Sequence, residues 1–171
     1  MNIFVTIEPA FQEKEVNFYS VRFDGNDHLE IDDFITFFEE GNEDDRIAFE
    51  ELIAFLGVIG DRGAFKHLFR HEGDGADALP RKFSDQGTFL VSPNNPIRLY
   101  CIRINSDIVI LCNGGIKTTR NPNDCDNVSR YFNEVRAIAR SLDKAFIAKE
   151  LIVEGYYLKH IDGDPIRLEI R

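Results

Sequence analysis

The chain has no tryptophan, one methionine and only three cysteines in 171 residues. Cys101, Cys112 and Cys125 are an odd, widely spaced set. They set aside a disulfide-stapled scaffold and a CxxC-type zinc site, and they predict reduced thiols in a cytoplasmic protein. Long apolar runs are also missing. The longest stretch of apolar residues and glycine is 52–60, far short of the ~20 residues of a membrane span. The opening MNIFVTIEPAFQEKE has neither a basic leader nor a long apolar segment, so no signal peptide is expected. No repeat, low-complexity tract or Pro/Ser-rich linker interrupts the chain. Apolar residues at 43% and charged residues at 29% suit a globular fold with a sizeable core.

Positive charge is scarce in one region only. Residues 1–60 carry 3 Lys/Arg against 15 Asp/Glu, residues 61–125 carry 9 against 7, and residues 126–171 carry 8 against 8. The net charge of −10 argues against a nucleic-acid binder as a whole. A phosphate, however, responds to charges within about one Debye length, ~8 Å at physiological salt. The near-neutral middle segment can therefore still hold a local cationic site.

Residues 2–8 and 16–23 are rich in β-branched and aromatic residues and read as strands, with a turn at Asp24-Gly25-Asn26-Asp27. Ile31, Phe34, Ile35 and Phe38 recur at helical spacing and predict a helix over 31–40, stopped by Gly41-Asn42. A second helix is expected from 43 to 57 or 60. Glu43, Asp44 and Asp45 lie at the positive end of its dipole. Its stripe is Phe49, Leu52, Ile53, Leu56 and Ile59, and Ile47, Phe55 and Val58 widen that stripe into a mostly buried helix. Residues 68–83 read as irregular, with a turn at 73–77 and a short strand around 78–82. Residues 97–104 and 107–112 predict a hairpin about Asn105-Ser106, with Asn113-Gly114-Gly115 ending the second strand. Arg98, Tyr100, Ile102 and Ile104 share one face of the first strand; Leu99, Cys101 and Arg103 share the other. A third helix is expected over 128–150, with a basic row of Arg136, Arg140 and Lys144. The tail, 151–170, reads as a hairpin turning at Asp162-Gly163.

Several motifs fail on inspection. Asn113-Gly-Gly-Ile-Lys-Thr118 lacks the glycine spacing of a phosphate loop, since Ile116 separates Gly115 from Lys117. In residues 24–35 the sixth and twelfth places of a calcium loop are Leu29 and Ile35, neither of which fits. Asn127-Val128-Ser129 matches a glycosylation sequon but follows no secretory signal. His67 and His71 read as a surface pair rather than metal ligands.

Two helices, a short strand near Leu79-Pro80-Arg81-Lys82, then IRLYCIRI, then DIVILCNGGIKTTRNPND and a helix together resemble the RelE/HigB-type toxin fold. Arg98-Leu99-Tyr100 resembles that family's RL-aromatic strand, and Gly115-Ile116-Lys117-Thr118 resembles its strand end carrying Lys or Arg. The resemblance covers roughly residues 43–144. It implies an α+β fold: a small antiparallel or mixed curved sheet packed against two to three helices, with N-terminal strands and a C-terminal hairpin added. The chain would be a single domain, 1–171, with an acidic elaboration over 1–42, a RelE-like core over 43–150 and a hairpin over 151–171.

The same resemblance implies a ribosome-associated mRNA endoribonuclease that uses the ribose 2′-OH as nucleophile, requires neither metal nor cofactor, and is encoded beside an antitoxin, often a helix-turn-helix protein. Such chemistry needs a base, an acid and fixed cations around the phosphate. Arg98 matches the family's phosphate-stabilising arginine and Lys117 its basic residue at the strand end. Arg81 and Lys82 approximate its basic short strand, with Lys82 as the candidate base. Arg120 is a candidate phosphate contact, and Tyr100 would orient an arginine or stack on a base. The acidic balance departs from the usually basic family. A second expectation is therefore a catalytically inactive protein of this fold that pairs with a cognate, antitoxin-like partner.

Overall fold

The computed structural model describes residues 2–118 and 126–170. It is α+β: a mixed sheet of seven strands, two small hairpins and, among the described residues, three α-helices. The strands are β1 (Ile3–Gln12), β2 (Asn17–Phe23), β3 (Arg70–Gly73), β4 (Ala76–Leu79), β5 (Phe83–Asp85), β6 (Thr88–Val91), β7 (Ile97–Arg103), β8 (Ile108–Ile116), β9 (Leu151–Glu154), β10 (Tyr157–His160) and β11 (Ile166–Ile170). The helices are α1 (Glu30–Glu39), α2 (Arg46–Arg62) and α3 (Ser129–Ile147).

The main sheet runs β11-β1-β2-β8-β7-β4-β3. Neighbours are antiparallel except β2 and β8, which are parallel in the register Asn17↔Ile108 to Ser20↔Leu111. The first strands are thus woven into the centre of the sheet. Each face carries its own core. On one, Phe18, Leu99, Cys101, Val109 and Leu111 meet Ile31, Phe34 and Phe38 of α1 and Leu52, Phe55 and Ile59 of α2. On the other, Tyr19, Tyr100, Ile102, Ile108 and Ile110 meet Phe132, Val135, Ile138 and Leu142 of α3, with Leu151 and Leu158 of the β9–β10 hairpin. Coverage on both faces explains why β7 and β8 are buried along nearly every position.

Local chemistry sets the helix ends. The Asn42 side chain accepts from the Asp45 N–H at 3.2 Å and opens a 3₁₀ turn over Glu43–Asp45 that leads into α2. Gly63, at φ 120°, closes α2 with its N–H on the Ile59 carbonyl. Ser20 Oγ donates to the Leu111 carbonyl at 2.7 Å and accepts from the Ile31 N–H at 3.1 Å. One hydroxyl thereby pins the start of α1 to the β2–β8 pair.

Several expectations are corrected. Ile47 and Ile53 of α2 are 71% and 42% exposed rather than part of the buried stripe. The segment read as irregular forms the β3–β4 hairpin, and β4 ends at Leu79, so Arg81 and Lys82 follow the strand instead of lying on it. β8 continues through Gly114 and Gly115 to Ile116. The tail turns at Gly155, between β9 and β10, and its last strand leaves the hairpin to pair with β1. Cys101 and Cys112 are free and buried on opposite faces, and burial pushes both thiols well above their usual value. Cys125 lies outside the described residues.

Candidate functional site

Arg98 lies on β7, pairing in register with Gly115 of β8, and the neighbouring Leu99 pairs with Leu79 at the end of β4. Arg98 is 9% exposed. It shares its face with Tyr100 and Ile102, as the alternation predicts. Its Nη1 donates to the Asn95 carbonyl at 3.0 Å and the Ile97 carbonyl at 2.8 Å, while its Nε, also buried, has no hydrogen-bond partner among the described residues. Burial lowers its pKa from the usual arginine value, and the nearby Arg70 guanidinium lowers it further.

Arg70, on β3, is the residue that sequence reasoning missed. Its Nε donates to the Pro80 carbonyl at 2.9 Å. Burial first, then Arg81, pull its pKa down, and Glu72 pulls it the other way. Arg81 is exposed and donates to the His67 carbonyl at 2.7 Å. Arg70 thus feels the charges of both Arg98 and Arg81. Among the described residues, no ion pair uses Arg70, Arg81, Lys82 or Arg98. Besides Arg70, the charges that act on Arg98 come from Glu72 and Tyr100, both of which favour its charged form.

Lys117 is partly buried, two residues beyond Gly115, and its N–H donates to the Pro96 carbonyl at 2.8 Å. Its backbone is therefore a neighbour of the turn that holds the Arg98 guanidinium. Lys82 is exposed just past Arg81. Tyr100 departs from its expected role. Its side chain is fully buried beneath α3, its ring edge-on to Phe132 with centroids 5.6 Å apart. A core ring in that position offers no face to a nucleobase. Arg120 lies outside the described residues.

The turn before β7 is built on Glu51 of α2. Its carboxylate accepts from the Ser92 N–H, the Ser92 hydroxyl and the Asn95 amide at 3.0, 2.7 and 2.9 Å. Burial disfavours the ionised form, but these donors outweigh it and hold the carboxyl below its usual value. Because Asn95 supplies a carbonyl to Arg98, Glu51 positions Arg98 from the opposite layer. Of the basic row on α3, Arg136 is taken by Asp74, with Nη2 to Oδ2 at 2.5 Å. Arg140 and Lys144 line a groove beside β11. His71 lies on β3 with Nδ1 2.8 Å from Asp77 Oδ1. Among the described residues, those that could hold a metal are His160, at the end of β10, with Asp162 and Asp164, whose ligand atoms lie within 4.8 Å of one another.

No protein-family model, curated protein or solved structure matches the chain.

Proposed function

We propose that the protein is a toxin-type, metal-independent endoribonuclease of the RelE/HigB kind, acting on ribosome-bound mRNA and held in check by a cognate antitoxin. The observation that carries the reading is the pair Arg70 and Arg98. A buried Arg98 stands in the field of a half-buried Arg70, with Arg81 acting on Arg70; Glu72 partly offsets both, and among the described residues no carboxylate is ion-paired with either. Such an arrangement is costly when empty and is relieved by an anion of concentrated charge, as a scissile phosphate is.

In this reading the ribose 2′-OH attacks the adjacent phosphorus. Its proton passes to a base, for which exposed Lys82 is the candidate. The 5′-oxygen departs with a proton, for which Lys117 is the candidate donor. Arg98 and Arg70 stabilise the charge that grows on the phosphoryl oxygens.

Controlled expression of the wild type, scored by growth and by mapping transcript ends, tests the proposal. Growth arrest with cleaved transcripts is expected. Loss of one stabilising cation in Lys117→Ala or Arg70→Ala should slow cleavage about 10²-fold. A wild type that neither arrests growth nor cuts transcripts overturns the reading. A second reading, a non-catalytic protein that binds a partner chain, is favoured by one feature of Arg98: its Nη1 is already committed to two backbone carbonyls. Stoichiometric co-purification with the product of a neighbouring gene, without nuclease activity, is its expected signature.

A further inference from the structure

β2 and β8 are parallel neighbours whose pairing stops at Ser20↔Leu111. Beyond it, β2 feeds α1 on one face of the sheet, while the next described helix after β8, α3, lies on the other. Parallel strands whose chains leave to opposite faces must part at their carboxyl ends, and open α/β sheets hold ligands in the crevice so formed. A bulge sharpens the opening. Leu99 pairs with Gly114 and Cys101 with Leu111, so Cys112 and Asn113 together oppose Tyr100, and Asn113 is turned toward α1. The space is a cleft of about 540 Å³, within the range of small-molecule sites. Its lining includes Glu30, Asp33 and Phe37 of α1, Asn113 of β8, and Arg130 and Tyr131 of α3.

Glu30 is 6% exposed. Its Oε2 accepts from Asn113 Nδ2 at 3.0 Å, and no other hydrogen bond and no ion pair among the described residues reaches the carboxyl. A carboxylate buried this far almost always has a cationic partner. The charges around it supply one only in part: Glu134 and Asp33 act on it with its own sign and Arg130 with the opposite one. Arg130 is bound to Glu134, Nε to Oε1 at 3.0 Å. Among the described residues Asp33 has only His28, at 3.6 Å. Two carboxylates, Glu30 and Asp33, therefore line the cleft against one committed guanidinium, and Phe37, 63% exposed, and the Tyr131 ring stand among them.

We propose that this cleft binds a small organic cation, a protonated amine or guanidine on a short apolar stem. The charged head meets Glu30 and Asp33 and supplies the counter-charge Glu30 lacks. The stem lies along Phe37, whose ring face also attracts cations, and beside Tyr131, whose ring already holds the Arg130 guanidinium 5.4 Å from its centroid. The site is independent of the arginine cluster and of any nuclease activity.

The test uses three probes with one stem and different heads: butylammonium, butylguanidinium and butyrate. Each is titrated into the ¹⁵N-labelled protein up to about 10 mM, which reaches complexes of millimolar affinity and tighter. Saturable shifts of the Gly114 and Gly115 amides and the Asn113 side-chain amide are expected with one or both cations and not with butyrate. Glu30→Gln should weaken that binding at least about tenfold, equivalent to 1.4 kcal/mol. Asp33→Asn, at a more exposed position, should weaken it in the same direction and serves if the Glu30 variant fails to fold. Absence of shifts with both cations, equal binding of butyrate, or undiminished binding in the folded variants overturns the proposal.

Discussion

Gly114 lies so close to Arg98 that a β-carbon built on it would sit 1.8 Å from the Arg98 carbonyl oxygen. The obstacle is backbone on a central strand and cannot swing aside. Gly114→Ala should therefore cost at least about 3 kcal/mol, the upper end of overpacking effects, read as a lower denaturation midpoint. It should also perturb the residue proposed to stabilise the phosphate.

Gly57 is the opposite case. It lies in α2 with nothing within 4 Å of a built β-carbon. Gly57→Ala should stabilise the protein by about 0.5–1 kcal/mol, from helix propensity and a less disordered unfolded chain. The same denaturation experiment reads it, with the midpoint moving upward.

Glu30 and Glu51 should shift stability with pH in opposite senses. Burial raises the Glu30 carboxyl above its usual 4.5. The Asn113 hydrogen bond opposes that rise, and Glu134 and Asp33 add to it. The folded protein then holds this proton more tightly than the unfolded chain does. The stabilising contribution is complete below pH 4.5 and is lost as pH rises through the raised folded value. Glu30→Gln should thus melt higher than wild type at neutral pH, and the difference should shrink on acidification.

Glu51 is depressed despite its burial, through Ser92 and Asn95. Its contribution is present above the unfolded value and lost as pH falls through the lowered folded one. Glu51→Gln should cost about 1–2 kcal/mol at neutral pH through lost hydrogen bonds, less in acid. Melting curves of both variants at neutral and acidic pH check the pair, and parallel behaviour would contradict the assignment.

The elements visible in the sequence were those with a clean local period. The β7–β8 hairpin shows its alternation and its Asn105-Ser106 turn, and the helices show their stripes. Features set by distant contacts were not visible. β8 runs through Gly114 and Gly115, residues that normally weaken a strand. Glycine is required there because the Arg98 and Asn127 carbonyls would meet built β-carbons at 1.8 and 2.8 Å. The β5–β6 hairpin is short, and no apolar period announces it. Ile47 and Ile53 fit the helical stripe by spacing, yet α2 turns them to solvent. Of the candidate site, Arg98 and Lys117 were named from the motifs that carry the resemblance. Arg70 was hidden in a segment without period, and its proximity to Arg98 depends on β4 alone separating β3 from β7 in the sheet. The crevice beside β8 depends on a parallel pairing between residues 91 positions apart, which no local signal can report.

That pairing governs the order in which the molecule can be assembled. During synthesis β2 emerges long before β8, the strand that fills its inner edge, and β1 must wait for β11, paired from Ile3↔Ile170 onward. Sheets closed by such remote contacts fold slowly and leave hairpin edges bare in the meantime. The amino-terminal third, with fifteen acidic side chains against three basic ones, spends that interval as a strongly anionic, half-made ribbon. Its mutual repulsion keeps nascent copies from zipping together before their own later strands arrive.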